Sequence, residues 1–154
     1  MGFNCTFVDY NPCLLITMNF TYPKKEKLKS KITIGLLFSE GKSVSKYPLR
    51  LVYHCGHSSD DQKIKMGVSV SKRNFKKAVD RNYFKRVLRE TYRLNKHIIS
   101  DNLNTPCSFM FFYQTKERLS YEEINTKTIQ LFEKFIAQHT KDNHVEIDKD
   151  LEKK

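Results

Sequence analysis

A single α+β domain, with helices packed on one mixed sheet, is the architecture this 154-residue sequence predicts. Three observations point there. Helix-period patterns at 30–40, 72–98 and from Ser120 onward alternate with strand-length segments at 49–54, 64–70 and 108–113. No internal repeat or low-complexity linker divides the chain. Eleven Phe and eight Tyr give it enough apolar surface to bury one core.

In chain order, Lys24–Lys31 is a basic lead-in. Leu28, Ile32, Leu36 and Leu37 then recur at helical spacing, with Ile34 and Phe38 among them, and Gly41 follows as a stop. This predicts a short helix over 30–40. Pro48 opens a β-prone alternating segment, Leu49–His54. A polar turn region at Gly56–Gln62 separates it from a second alternating segment, Ile64–Val70, so the two predict a hairpin. Asn102–Pro106 breaks the helical pattern that follows. Ser108–Tyr113 is a continuous apolar run, short enough for a strand buried on both faces. Ser120 and Glu123 make a capping box for a last helix, with Ile124, Thr128, Leu131, Phe132, Phe135 and Ile136 on one face. The sequence predicts that this helix ends near His139 and that the charged tail beyond it frays. The domain plan is therefore an N-terminal extension over 1–23, a folded domain over 24–139 and a charged flexible tail over 140–154. Within the extension, residues 1–17 read as dispensable, with Met18 as the effective start.

The charge is concentrated. From Lys63 to Lys96 there are twelve Lys/Arg and two Asp/Glu, so this segment holds nearly all of the chain's net +11. A concentrated excess is the footprint of a polyanion site rather than of general solubility. On a helical wheel Arg81, Asn82, Lys85, Arg86, Arg89, Arg93 and Lys96 fall within an arc of roughly 140°. Tyr83, Phe84, Val87, Leu88, Thr91, Leu94 and Ile98 fall opposite. The i, i+4 series Arg81, Lys85, Arg89, Arg93 stacks like charge at a cost to the helix. Four of the stripe's cations are Arg, whose planar fork suits phosphate. Phosphates as the missing partner explain this arrangement better than a merely solvated face. Phe38 and Tyr53 are the aromatics able to stack on unpaired bases, although spacing alone suits both equally to the core. Tyr53 and Arg50 point to opposite faces of a regular strand.

Protein-borne catalysis finds little support. The five His form no HExxH pattern, no nucleophile elbow is present, and no glycine-rich phosphate loop occurs. His54, Cys55 and His57 lie close together, but they lack further ligands and read as a strand end entering a turn. No metal site is assigned to the protein. Cys5, Cys13, Cys55 and Cys107 are irregularly spaced with no CxxC pair, and no secretion signal precedes them. They read as reduced cytosolic thiols in a cytoplasmic protein. The apolar run Cys13–Met18 is far too short to span a bilayer, so no membrane association is expected.

The segment Ala78–Glu90 carries Arg81-Asn82-x-x-Lys85-Arg86-x-x-Arg89-Glu90. It resembles the Arg-Asn-x-x-Lys-Arg-x-x-Arg-Glu signature of the bacterial ribonuclease P protein component. Gly67–Lys72 is similar to the strand before that signature, and Leu37–Lys42 to the end of the family's first helix. The likeness covers roughly 24–137 in the family's order. It implies a ribosomal-protein-like fold with an uncommon left-handed βαβ crossover. It also implies a subunit that assists a catalytic RNA in removing the 5′ leader of precursor tRNA. The RNA, with Mg²⁺, would perform the hydrolysis, and the protein alone would be inactive. Carried over by position, Arg81, Asn82, Lys85, Arg86, Arg89, Arg93, Lys72 and Lys76 would bind RNA. Phe38, Tyr53 and Ser69 would line a leader cleft between the sheet and the central helix, flanked by Lys72 and Asn82. The implied partners are the catalytic RNA and precursor tRNA, with no protein partner. The alternatives are a structural RNA-binding protein of ribosomal type and, disfavoured by the missing catalytic groups, a protein-only nuclease.

Overall fold

A computed structural model describes residues 21–56 and 62–151, with 142–151 as backbone. The sheet is built around the most apolar segment. Strand β4 (Cys107–Tyr113) lies between β2 (Leu49–Cys55), which runs antiparallel to it, and β3 (Ile64–Val70), which runs parallel. Strand β1 (Lys42–Lys46) pairs antiparallel with the outer side of β2, giving the order β1-β2-β4-β3. A central strand covered on both faces needs apolar side chains at every step, and the 108–113 run supplies them.

Three helices cover the sheet: α1 (Lys31–Ser39), α2 (Ala78–Ser100) and α3 (Tyr121–Leu151). Helices α2 and α3 share one face, where Phe84, Leu88, Tyr92, Leu131, Phe132 and Phe135 meet Leu51, Tyr53, Met66, Phe109 and Phe111. Helix α1 covers part of the other face, where Leu37 packs with Leu28, Val52 and Met110. Side chains cap α1 and α3, the second as predicted. The Ser30 side chain accepts the Thr33 N–H. At α3, the Ser120 N–H donates to the Glu123 carboxylate at 2.9 Å and the Glu123 N–H donates to Ser120 Oγ at 3.3 Å.

Several expectations are corrected. The segments at 49–54 and 64–70 are not a hairpin, because β4 separates them and β3–α2–β4 is instead a parallel crossover. The partner of β2 in its hairpin is β1, which was not predicted. Only Val44 of its five residues is buried, so this lysine-flanked edge strand carries almost no hydrophobic signal. Helix α2 begins at Ala78, so Lys72 and Lys76 sit in the loop before it. On its apolar arc Tyr83 is 52% exposed, while Tyr92 and Asn95 are buried. Helix α3 continues as helix to Leu151, well past His139. Tyr22, assigned to the N-terminal extension, belongs to the fold: its hydroxyl donates to the Met66 carbonyl at 2.6 Å and its ring meets Tyr92 edge-on at 5.3 Å. Cys55 and Cys107 are joined by a disulfide rather than being separate thiols. They are opposite residues in the β2–β4 register, a neighbourhood that a separation of 52 residues conceals. Cys5, Cys13, the proposed start at Met18 and His57 lie outside the described residues.

Candidate nucleic-acid interface

Helix α2 places its cations by simple amphipathicity. Phe84, Val87, Leu88 and Ile99 bury one side, which turns Asn82, Arg86 and Arg89 outward into full exposure, with Lys85 half-buried beside them. Among the described residues, no carboxylate pairs with Lys85, Arg86 or Arg89. The C-terminal part of the same stripe is different. Arg93 donates from Nε to Glu90 at 2.9 Å, and this hydrogen bond holds the Glu90 carboxyl below the usual carboxylate range. Lys96 Nζ donates to Glu26 Oε1 at 2.9 Å and to the Thr21 carbonyl at 2.6 Å. Glu26 also accepts from the Tyr92 hydroxyl at 3.3 Å. These contacts fasten residues 21–27 across the end of α2. Burial here pushes the Tyr22 phenol up to about 12.

The N-terminal end of α2 is braced by Arg81. Its Nη1 donates to the carbonyls of Phe75 and Lys76 at 2.9 and 2.6 Å. Phe75 is buried, stacked on Phe84 with centroids 4.6 Å apart. Arg81 therefore stiffens the loop that presents Lys72 and Lys76, both exposed. Asp80, the acid in the first helical turn, is paired with Arg118.

On the sheet face opposite α2 and α3, a groove of about 240 Å³ runs between α1 and the strands, lined by Leu37, Phe38, Gly41, Ser43, Arg50, Val52, Phe112 and Gln114. Phe38 is 59% exposed and meets Phe112 edge-on, with centroids 6.0 Å apart. Strand register aligns Arg50, Phe112 and Ser69 across β2, β4 and β3. Arg50 Nη2 donates to Ser43 Oγ at 3.2 Å. Gly41 closes the wall between α1 and β1. A Cβ there would stand 2.0 Å from the Leu37 carbonyl oxygen and 3.1 Å from that of Tyr53, a space only glycine fits. The groove thus lies between α1 and the sheet, not between the sheet and α2.

Of the residues assigned to this cleft, Phe38 and Ser69 lie on the groove face and Tyr53 does not. Tyr53 is 5% exposed on the far face, edge-on to Phe135 at 4.7 Å, so its ring cannot stack on a base. The sequence reading missed Phe112 and Arg50. Strand parity alone separates Arg50 from Tyr53, but only the β2–β4 register brings Phe112 beside Arg50. Ser69 stands three residues before Lys72, so the β3 edge of this face passes into the basic loop within about 10 Å of chain. Among the described residues no helix is long and apolar enough to cross a membrane.

The family model for ribonuclease P matches residues 22–136. A ribonuclease P protein component from Porphyromonas gingivalis is 45% identical over 84 residues, covering 54% of this chain and 61% of that protein. One from Chlamydia abortus is 35% identical over 75 residues, covering 49% and 50%. The chain thus spans less than two thirds of the length of these relatives. Among solved structures, the RNase P protein of Staphylococcus aureus superposes with a TM-score of 0.58 at 22% identity, over 70% of this chain and 93% of that one. The RNase P protein of Thermotoga maritima gives 0.57 at 23%, over 71% and 96%. These two share the fold. The family match runs from Tyr22 through the groove and α2 into α3, and on that evidence the chain belongs to the ribonuclease P protein family.

Proposed function

We propose that this chain is the protein subunit of a ribonuclease P ribonucleoprotein, which binds a catalytic RNA and the 5′ leader of precursor tRNA and so assists removal of the leader. The observation that carries this reading is the open half of the α2 stripe, Asn82, Lys85, Arg86 and Arg89, where no carboxylate pairs with the three cations among the described residues. Phosphates are the partner that such a face lacks. Lys72 and Lys76 extend it along the loop. Arg81 contributes chiefly as the brace of that loop, and Arg93 acts with Glu90 beside it. In the groove, Phe38 and Phe112 offer ring faces and edges to unpaired leader bases, Arg50 a cation, and Ser69 a hydroxyl.

The chemistry belongs to the RNA. The Mg²⁺ implied by the resemblance supplies charge neutralisation and an activated water to that RNA-based reaction. The residues here do not fit it as a protein-held ion. The acids beside the basic face, Asp80 and Glu90, are taken by Arg118 and Arg93, and no step is assigned to them. A cytoplasmic location of the assembly is part of the same proposal.

Reconstitution tests this reading. The purified chain alone should leave precursor tRNA intact, and adding the cognate RNA should yield cleavage at the mature 5′ end, faster than with RNA alone. Cleavage by the protein without RNA would overturn it. Tight RNA binding with no stimulation would identify a structural RNA-binding protein of ribosomal type.

A further inference from the structure

The face of α3 that buries Ile124, Leu131, Phe132 and Phe135 continues with His139, itself only 8% exposed. Phe135 sits over the rung formed by Tyr53 and Phe109, at 4.7 and 5.2 Å. Four helical residues advance about 6 Å, and two strand residues advance about 6.6 Å. Position 139 therefore arrives over the next rung on the same face, Cys55 opposite Cys107. The Sγ atoms of Cys55 and Cys107 and a ring nitrogen of His139 all lie within 4.8 Å of one another. The ring of His139 is set against Phe135, with centroids 5.6 Å apart, and Cys107 is buried at the start of β4.

We propose that Cys55, Cys107 and His139 form a redox-gated site for a thiophilic divalent cation of the zinc class. Opening the disulfide takes two electrons. They come either from two thiols, which leave as a disulfide and supply the two protons, or from a phosphine, which leaves as its oxide with the oxygen and both protons drawn from water. Either route yields two thiols. The metal then displaces both thiol protons to solvent, and two thiolates and one imidazole become its ligands, with water completing the tetrahedron. Bond lengths of such a centre put its ligand atoms about 3.5–3.8 Å apart, a spacing within reach of side-chain rotation from the observed cluster. Soft sulfur ligands favour zinc over magnesium or calcium. A low-molecular-weight disulfide reverses the sequence: it accepts the two electrons, leaves as two thiols with protons from solvent, and the Cys55–Cys107 bond re-forms as the ion is expelled. In either state the site joins β2 and β4 on the face beneath α3, and only the metal-bound state recruits His139. His54, the neighbour of Cys55, is no part of this site: its side chain lies on the groove side, 3.5 Å from Glu40.

The test uses the full chain with Cys5→Ser and Cys13→Ser, so that Cys55 and Cys107 are the only thiols. After reduction with a phosphine and removal of metal, anaerobic titration with Co²⁺ should give one ion per chain. Thiolate charge-transfer and tetrahedral ligand-field absorption should appear together, and Zn²⁺ should displace the cobalt. Oxidation of the zinc-loaded chain should release one Zn²⁺ per disulfide formed. His139→Gln should weaken binding by about tenfold or more, the range that even a supporting partner of a metal ligand commands, and Cys55→Ala should abolish it. A reduced, folded chain with two titratable thiols that takes up no more cobalt than its Cys55→Ala variant would overturn the proposal. Undiminished binding in His139→Gln would overturn the three-ligand assignment. If the double serine background does not fold, Cys107→Ala in the otherwise unaltered chain must remove the same single ion; retention of that ion would also overturn the site.

Discussion

Phe111 and Phe112 are neighbours on the central strand and serve opposite ends. Phe111 is fully buried on the face shared by α2 and α3, where Phe132 lies 6.0 Å away. Phe112 is half-buried on the other face, where it packs against the small cluster around Leu37, lines the groove and meets an exposed Phe38 edge-on. One residue step along a strand reverses the side, so identical chemistry becomes core in one case and binding surface in the other. A similar division runs along α2. Arg89 faces solvent with no carboxylate partner among the described residues, while Lys96, two turns on, is spent on Glu26 and the Thr21 carbonyl. Side-chain type predicts neither difference; what lies against each residue does.

The largest test of this contrast is Phe111→Ala, which should destabilise the fold by about 3–5 kcal/mol in urea unfolding. Phe112→Ala should cost distinctly less. Equal losses would mean that both faces are core. In a binding assay the ranking should reverse: Phe112→Ala should weaken affinity for precursor tRNA by about 1–3 kcal/mol, the worth of one stacked base, while affinity for a leaderless tRNA stays unchanged. A Phe112→Ala loss shared by both RNAs would place the leader elsewhere.

On α2 the expected differences are smaller. Arg89→Ala should reduce the slope of log affinity against log salt by about 0.7–0.9, the release accompanying one phosphate contact. Lys96→Ala should leave that slope alone and lower stability by about 1 kcal/mol through lost contacts to Glu26 and Thr21. A salt-slope change on Lys96→Ala would show that its ion pair opens to bind RNA. A separate effect lies at alkaline pH. The Tyr22 phenol is raised from 10.0 to about 12 by burial, and its hydroxyl donates to Met66. The protonated form is favoured in the fold, so its stabilisation is complete below pH 10 and disappears as pH rises through 12. Tyr22→Phe should flatten the fall in stability across that window, and an unchanged curve would place the titration elsewhere, Tyr92 being the next candidate.

Much of this was legible in the chain. The basic stripe, the apolar arc carrying Phe84, Val87 and Leu88, the Ser120–Glu123 capping box and the buried central strand all follow from patterns that repeat within one element. Errors gathered where a pattern had to be matched to a distant one. Leu49–His54 and Ile64–Val70 look like a hairpin because they are adjacent and alternate alike, yet the more apolar β4 takes the place between them. Tyr53 is assigned to the leader cleft by the resemblance, although its parity with Leu51 puts it in the core. The edge strand β1 was invisible because burying Val44 alone leaves no alternation to detect.

The sequence by itself determined the helices, the position of the charge and the family, since periods of 3.6 and 2 residues and a local signature need no partner to be read. The tertiary structure alone decided which strands pair, which face of the sheet stays open at Phe112 and Arg50, and which cations on α2 remain available. It also brought Cys55, Cys107 and His139 together from three separate elements. The reason is physical: strand order and register are chosen by non-local burial, which weighs every apolar face against every other, and no short window of the chain contains that comparison.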